Sequence, residues 1–406
     1  MSLTTLTTQD SASKNIDTVG TVATDAITVG AIAAFNVGTW FDRSASVLSL
    51  IGASAPDFWV AIVGIGNCAS SVVQSHFYYN QRGGSGKPLG VMNWDIGGYT
   101  PCDIVPVAGF DVDSRKVGKD ITEAIFEGPN CAIRYDCEVK RLGAKVWMGP
   151  VLDGVADWMT EDFHPGHAEP ADVGKVLIDS GADVLINFLP AASDEATRYY
   201  ADQAINVAKI GFVNGMPSPV ANDPGLQEAA AANKVPLIGD DIKSQLGGTI
   251  THRALIDCLN SRGITIEKTY QLNYAGNTDF RNQVGARVEC KHESKKRGIG
   301  AYLEDGNLAV GATPMPNMGD RKTTIFHFEG YNYGGAPLTL KAILEVEDSP
   351  NFAGSMSEAV RYAKLALDRG VGGVLEAPSA FLMKSPPKQF PDQEAERLLR
   401  EFVSDE

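Results

Sequence analysis

The sequence predicts an α/β protein: a doubly wound parallel sheet of the Rossmann type with an inserted α+β domain. Three features predict this fold. Short, continuous apolar runs alternate with helix-like stretches up to about residue 245, as in successive βαβ units. A glycine-rich turn follows the first of these runs. Beyond residue 245 the pattern changes to longer, alternating strands, and a helical pattern returns near residue 348.

The length of the chain agrees with this division. At about 150 residues per domain, 406 residues are enough for two or three domains. We expect a weakly patterned segment at 1–54, the Rossmann domain at 55–245, the α+β insert at 246–347 and a return to the first domain at 348–406.

Each element of this scheme has its own signal. Continuous apolar runs, typical of strands buried on both faces, occur at 58–63, 104–110, 184–188, 211–214 and 235–239. Helix-like stretches occur at 70–79, 194–208, 224–233 and 251–259. The insert has strand patterns at 264–272, 322–328 and 338–346. The last predicted helix, 356–367, is introduced by Ser349-Pro350 and closed by Gly370.

Composition and charge exclude several classes of function. The chain is 44% hydrophobic and 21% charged, as in ordinary globular proteins, and its net charge is −15. An acidic surface repels phosphodiester backbones and anionic lipid, so neither nucleic acid nor a membrane is the expected partner. The apolar stretch at 21–40 contains Asp25 and lacks a basic leader, so we do not predict a signal peptide there. Six cysteines without CxxC pairs indicate reduced thiols and a cytoplasmic protein.

A dinucleotide site is predicted at the turn Gly64-x-Gly66-x-x-Ala69, which also contains Asn67 and Cys68. The first glycine permits the tight turn and the second lets a pyrophosphate approach the backbone. The small third residue lets helix and strand pack closely. A purely structural turn is the alternative, but the preceding buried strand and the following helix favour the dinucleotide.

The acidic residue that binds the adenosine ribose is expected at the end of the second strand. Asp111 and Asp113 lie there, some 45 residues after Gly66 instead of about 20, and a glycine-rich insertion at 81–102 accounts for the difference. Arg115 lies further on and not directly beside Asp111, so NAD is favoured over NADP.

Two further segments suit an anionic substrate. Glycines and hydroxyl groups at 244–249 precede a helix, where backbone N–H groups can bind an anion, and Asp241 and Lys243 suit a polar active-site floor. An ordinary capped loop remains the alternative there. The densest basic cluster, at 291–297, is either a solvated loop or the source of cations for a phosphorylated substrate.

His164 and His167 have metal-like spacing around a Pro-Gly turn, which makes a zinc site a minor alternative. His252 and His327 are expected to be packed and hydrogen-bonded.

From about residue 58 to residue 402 the chain resembles the myo-inositol-1-phosphate synthase family, most closely its shorter bacterial members. The resemblance rests on motifs in the family's order: the turn at 64–67, Asp-Val-Asp at 111–113, Asn-Phe-Leu-Pro at 187–190, the segments 239–249 and 273–279, Gly-Asp-Arg-Lys at 319–322, Glu-Asp-Ser-Pro-Asn at 347–351 and Met-Lys-Ser-Pro-Pro at 383–387. The first 54 residues match none of them.

This resemblance implies conversion of D-glucose 6-phosphate to 1L-myo-inositol 1-phosphate with no net redox change. NAD would oxidise C5, an enolate would form at C5–C6, C6 would attack the C1 aldehyde, and the hydride would return to C5. Lysines suit such a reaction because each combines a proton with a positive charge. The substrate phosphate is thought to help remove the C6 proton in this family.

The resemblance also assigns roles to individual residues. Lys291 and Lys384 would face the C5 oxygen, and Lys322, with Asp320 beside it, would face the C1 oxygen. Asp241 and Lys243 complete the expected catalytic set. The expected substrate-binding residues are Ser244, Gln245, Gly248, Thr249, Asn273, Asn277, Asp279 and Lys295. Lys296 is the alternative to Lys295 for the same family position. The expected cofactor-binding residues are Gly64, Gly66, Asn67, Cys68, Ala69, Asp111, Asp113, Asn187, Leu189, Pro190, Asn214, Asp241 and Asp348.

The same resemblance implies a homotetramer assembled through the α+β insert, which would then serve catalysis and tetramerisation together. Family members differ in using a monovalent or a divalent cation, and the sequence leaves this open. Other interpretations also stay open: a dehydrogenase that releases NADH, a non-catalytic NAD-binding protein, or a cyclase for another phosphosugar. The dehydrogenase and the non-catalytic protein would have no need for the scattered lysines Lys291, Lys322 and Lys384.

Overall fold

The computed structural model describes residues 57–82, 89–155, 159, 163–282, 299 and 308–404. The predictions for residues 1–54, and those for Lys291, Lys295 and Lys296, lie outside these residues. No helix within the described ranges is long and apolar enough to cross a membrane.

The first sheet has seven parallel strands in the order β3-β2-β1-β4-β5-β6-β11, so the predicted doubly wound fold is confirmed. The strands are β1 (Phe58–Val63), β2 (Ile104–Asp111), β3 (Val146–Met148), β4 (Val184–Asn187), β5 (Gly211–Asn214), β6 (Pro236–Ile238) and β11 (Gly373–Val374). Since β4 is buried throughout and β1 nearly so, their continuous apolar sequences follow from burial on both faces.

Helices cover both faces of this sheet. They are α1 (Asn67–Arg82), α2 (Ile121–Ala124), α3 (Val173–Asp179), α4 (Asp194–Asp202), α5 (Pro224–Asn233), α8 (Asp348–Asp368), α9 (Glu376–Leu382) and α10 (Asp392–Ser404). A π-helical turn, Gln203–Ala208, extends α4. Side-chain caps start several of them: Asp172 accepts from the backbone of Lys175, and Asp223 accepts from that of Leu226. One large apolar cluster fills the space between strands and helices, with Leu185, Ile205 and Phe212 fully buried in it.

The second sheet has four strands in the order β10-β9-β7-β8. Its strands are β7 (Thr265–Ala275), β8 (Leu308–Pro314), β9 (Arg321–Tyr331) and β10 (Pro337–Glu347), antiparallel except for the parallel pair β7 and β8. Helix α6 (Gly248–Ser261) packs on one face, where Ile256 and Leu259 meet Phe326 and Phe328, and a short α7 (Thr278–Asn282) follows β7. Three short 3-10 turns, Pro101–Asp103, Pro316–Met318 and Tyr333–Gly335, complete the fold.

Several boundaries differ from the sequence prediction. Helix α6 begins at Gly248, inside the predicted anion-binding segment, whereas α8 begins at Asp348, directly before the Ser349-Pro350 that is predicted to open it. Strands β3, β8 and β11 and helices α2, α3, α7, α9 and α10 were not predicted. Three of these elements are only two to four residues long, so they have too few residues for a periodic pattern.

Candidate functional site

A cleft that is partly open to solvent lies between the carboxyl ends of the first-sheet strands and the second sheet. Its walls include Gly64 after β1, Asp111 at the end of β2, Leu189 after β4 and Asn273 on β7. β1 lies between β2 and β4, so the cleft opens where the strand order reverses. Ligands of doubly wound sheets bind at such a point.

The glycine turn borders this cleft and has the shape that a dinucleotide needs. Gly64 has φ +83°, and a Cβ there would lie 2.6 Å from the carbonyl oxygen of Phe188, so only glycine fits. A Cβ on Gly66 would meet no atom within 4 Å, which leaves open space directly before α1. The N–H groups in the first turn of a helix have no partner within the helix, so the start of α1 suits an anion in that space. Asn67 and Cys68 also line the cleft, whereas Ala69 is fully buried behind the turn.

Asp111 is held at the cleft by backbone groups of two segments. Its carboxylate accepts from the N–H groups of Ile65 (2.8 Å) and Val112 (2.8 Å), and Lys116 Nζ lies 3.8 Å away. Lys116 also donates to the carbonyl of Ile65 at 2.8 Å and lines the cleft. The sequence analysis missed Lys116, although a basic residue so close after the end of β2 was a usable signal.

Asp113 has a different surrounding from Asp111. It is fully buried, and its carboxylate accepts from the backbone and the guanidinium of Arg115, with Nε at 2.9 Å and Nη2 at 2.5 Å. Burial alone would raise its pKa, but the hydrogen bonds and charge of Arg115 outweigh burial and hold the pKa below its usual value. Asp113 therefore orders the loop after β2 instead of lining the cleft, and it keeps Arg115 engaged.

Two buried asparagines end neighbouring strands behind the cleft. Asn187 donates to the side chain of Asn214 at 2.8 Å and accepts from the N–H of Leu189 at 3.1 Å. Asn214 donates to Asp240 at 2.7 Å. Burial raises the pKa of Asp240 to about 6 despite these bonds. Neither asparagine lines the cleft, so they shape the loops that carry Leu189, Pro190 and Asp241, which do line it.

The first lysine–aspartate pair of the site is Lys384 with Asp241. Its two chain segments run antiparallel: Lys384 N–H donates to the carbonyl of Asp241 at 2.7 Å, and Lys243 N–H donates to that of Leu382 at 2.7 Å. This arrangement brings Lys384 Nζ within 2.6 Å of Asp241 Oδ1. The Lys384 side chain is 14% exposed and that of Asp241 3%, so the pair is largely shielded from water.

Lys243 lies in the same wall and is almost completely buried. Its ammonium donates to the carbonyls of Ala380 (3.1 Å) and Phe381 (2.9 Å). Burial is the main cause that lowers the pKa of Lys243 to about 7, and the positive charge of Arg253 is the second cause. A lysine in this state exchanges a proton near neutral pH.

The second lysine–aspartate pair lines the same cleft. Lys322 at the start of β9 donates to Asp348 at the start of α8, with 2.9 Å between Nζ and Oδ1. Asp320 lies beside them and accepts from the side chains of Asn277 (3.1 Å) and Ser349 (2.8 Å). Burial and the charge of Asp348 raise the pKa of Asp320 to about 6.

Most of the predicted substrate-binding residues line the space between these pairs: Ser244, Gly248, Thr249, Asn273, Asn277 and Asp279. Asn273 is fixed by Thr324 (3.1 Å) and by Gln271 (2.9 Å), another cleft residue. Alternation along β7 could have identified Gln271, because it shares a face with Asn273. Gln245 is the exception, since its amide donates to the carbonyl of Gly90 and it does not line the cleft.

His252 is packed and hydrogen-bonded as expected, whereas His164 and His167 are exposed. His252 is buried, and its ring nitrogens lie 2.8 Å from Thr269 Oγ1 and 3.3 Å from Gln271 Oε1. Burial lowers its pKa to about 4. Within the described ranges, no group of three or more His, Cys, Asp and Glu side chains could hold a metal ion.

Fold and site together define a class: a Rossmann-fold protein whose dinucleotide-type turn opens into a lysine-rich cleft closed by a second sheet. Comparison with known proteins identifies the family. A sequence model of the myo-inositol-1-phosphate synthases matches residues 247–349. The chain is 43% identical to the inositol-3-phosphate synthase of Mycolicibacterium smegmatis, covering 86% of this chain and 98% of that protein. It is 42% identical to the enzyme of Corynebacterium glutamicum over 85% and 97% of the two chains.

Solved structures agree. A myo-inositol-1-phosphate synthase-related protein from Thermotoga maritima superposes with a TM-score of 0.68 at 25% identity, covering 86% of this chain and 98% of that one. The structure of Ari2 superposes with a TM-score of 0.73 at 30% identity over the same shares. The chain therefore belongs to the inositol-3-phosphate synthase family, as the sequence motifs predicted.

Proposed function

We propose that this protein is an inositol-3-phosphate synthase that cyclises D-glucose 6-phosphate to 1L-myo-inositol 1-phosphate with NAD as its cofactor. The proposal rests on one observation: two ion pairs, Lys384–Asp241 and Lys322–Asp348, line the same cleft as the glycine turn. Curated relatives at 42–43% identity bear the name of this activity.

The residues around the glycine turn suit NAD. The open space at Gly66 and the start of α1 would hold the pyrophosphate, and Asp111 would meet the adenosine ribose. Arg115 is bound by Asp113, which leaves it poorly placed for a 2′-phosphate and favours NAD over NADP. When bound, NAD supplies reversible hydride transfer at C5 of the sugar.

The start of α6 would bind the substrate phosphate. Helix α6 begins at Gly248 after the N-cap Gly247, and no side-chain cap satisfies its first N–H groups. These groups and the hydroxyls of Ser244 and Thr249 line the cleft, so a dianion there meets donors and the positive end of a helix dipole. Lys295 is proposed to add a charge-assisted bond.

The two lysine–aspartate pairs would manage the charge that develops on the sugar oxygens. Lys384 is proposed to hold or donate the proton at the C5 oxygen, with Asp241 fixing the direction of its ammonium. Lys322 is proposed to stabilise the alkoxide at C1, and Asp348 fixes it in the same way. Lys291 shares the C5 role in this proposal, while Asn273, Asn277 and Asp279 orient hydroxyl groups.

A direct test is incubation of the protein with glucose 6-phosphate and a catalytic amount of NAD⁺, with phosphorus NMR of the products. We expect inositol 1-phosphate in large excess over the NAD⁺ supplied. Formation of NADH in proportion to product would favour an ordinary dehydrogenase and overturn the proposal. A product other than an inositol phosphate would indicate a cyclase for another phosphosugar.

We also propose a homotetramer that assembles through the second sheet. Leu272, Ile325 and Ile343 are paired neighbours across β7, β9 and β10, and Leu272 and Ile343 are exposed on the same face. An apolar stripe on a sheet face suits contact with a second copy of the chain. Light scattering checks this: Ile343→Glu should lower the molecular mass, whereas the same change at Lys341 should lower it less.

A cytoplasmic location completes the proposal. It is supported by the thiols of Cys102, Cys131, Cys137 and Cys258, which form no disulfide. A comparison of turnover in potassium, in magnesium and after chelation would show whether the protein uses a monovalent or a divalent cation.

A further inference from the structure

The cleft contains a cation whose counter-ion comes from the last helix. Arg253 of α6 and Lys243 approach the same atom, Oδ1 of Asp392, at 2.7 Å and 3.6 Å. The side chains of both cations are at most 3% exposed, while Asp392 is about one-third exposed. Asp392 is the first residue of α10, more than a hundred residues from either cation in sequence.

Lys243 is crowded by positive charge. Arg253 on α6 and Lys384 after α9 both disfavour its protonated form, as does burial, whereas Asp392 on α10 favours it. Asp257, one turn after Arg253, also faces this group, since it interacts with both Arg253 and Asp392. The carbonyls of Ala380 and Phe381 satisfy hydrogen bonds but carry no net charge. Among the described residues, Asp392 is the carboxylate that lies within 4 Å of both nearly buried cations.

Asp392 is held firmly in place. Helix α10 buries Ala395 and Leu399, and Arg369 donates to its last carbonyls, those of Phe402 and Val403. A carboxylate in the first turn of a helix is further favoured by the helix dipole. These contacts fix the carboxyl group beside the wall of the cleft.

We propose that Asp392 is a positioning residue: its carboxylate holds the Lys243 side chain in the wall of the cleft and favours the ammonium form of Lys243 when the anionic substrate binds there. This inference rests on the proposed function. It adds to that function a role for the C-terminal helix in the protonation of the cleft.

Proton uptake on substrate binding tests this role. Lys243 is largely neutral at pH 8 in the free enzyme and takes up a proton when a phosphate dianion binds near it. The phosphate itself, with a second pKa of about 6, is already ionised at that pH. Calorimetric titration of glucose 6-phosphate in buffers of different ionisation enthalpy counts the protons. Wild type should take up a substantial fraction of one proton, and Lys243→Met should lose that uptake.

Asp392→Asn should move the pH of greatest uptake down by about one unit, and glucose 6-phosphate should bind about tenfold more weakly at pH 8. Asp392→Glu should stay close to wild type because it keeps the charge. Glu394→Gln is the matched control: Glu394 lies in the same helical turn but pairs with the exposed Arg397. An Asp392→Asn curve that coincides with that of wild type would overturn the inference.

A second measurement needs no substrate. Lys243 has a pKa of about 7 in the folded protein and about 10.4 when unfolded, so the folded state gains stability as pH rises between these values. The melting temperature of wild type relative to Lys243→Met should therefore rise from pH 7 to 9. In the Asp392→Asn background this rise should begin at lower pH. If these shifts occur but no inositol phosphate forms, only the proposed reaction is wrong; if conversion occurs without the shifts, only the role of Asp392 is wrong.

Discussion

Replacing Lys384 by methionine should separate the chemistry of the cleft from its stability. The change keeps the length of the side chain and removes the charge that lies 2.6 Å from Asp241 Oδ1. Breaking a buried ion pair costs about 3–5 kcal/mol, and because Lys384 is 14% exposed we expect a value near 3. Loss of a positioned proton donor should reduce turnover by about 10² or more. Lys322→Met should reduce turnover similarly.

The double variant Lys384→Met/Asp241→Asn tells the two effects apart. Removing the remaining charge of Asp241 should recover most of the lost unfolding free energy, measured by denaturant titration, but none of the turnover. Lys388→Met is the matched control, because Lys388 is exposed and pairs with the exposed Glu376. NAD should still bind in Lys384→Met, Lys322→Met and Lys388→Met. Turnover of Lys384→Met close to that of wild type would remove this lysine from the mechanism.

Four further outcomes follow from the site. NADH absorbance should not accumulate during turnover. Gly64→Ala should lower stability by about 1–3 kcal/mol in a melting experiment and abolish NAD binding in a titration, because its Cβ would strike the carbonyl of Phe188. Lys295→Ala should weaken glucose 6-phosphate binding tenfold to a hundredfold by calorimetry, whereas Lys234→Ala, at an exposed helix end, should not. The pKa of Asp320 is raised to about 6, so the fold becomes less stable as pH rises from about 4 to 6. The melting temperature of Asp320→Asn should therefore depend less on pH over that range than that of wild type.

The first sheet could be predicted because burial on both faces is visible in sequence. A strand such as β4, Val184–Asn187, is buried at every position and so reads as a continuous apolar run. Strands β3 and β11 have three and two residues, and they exist because β2 and β6 provide hydrogen-bonding partners. Tertiary pairing of this kind leaves no local pattern in the sequence.

The site could be predicted from the sequence only for residues that belong to a recognisable motif. Asp241 and Lys384 were each assigned to the active site. Their 2.6 Å contact could not be predicted, because it depends on the pairing of two segments that are far apart in the sequence. Asp113 looked equivalent to Asp111 by position. The structure distinguishes them, because Arg115 satisfies Asp113 within its own loop. Asp392 belongs to no motif, since its role comes only from where α10 docks.

The charges of the cleft also explain how an acidic protein can accept an anionic substrate. The net charge of −15 is spread over the whole chain, and at physiological salt charges more than about 8 Å apart are largely screened. Within the cleft, Lys384 and Lys322 each face an aspartate at 2.6–2.9 Å, so these pairs contribute directed donors but little net attraction. Net attraction must then come from the dipole of α6, from Lys243 and from the proposed Lys295. Because the phosphate gains its second charge near pH 6 and Lys243 loses its charge as pH rises through about 7, substrate affinity should pass through a maximum near neutral pH and fall above it.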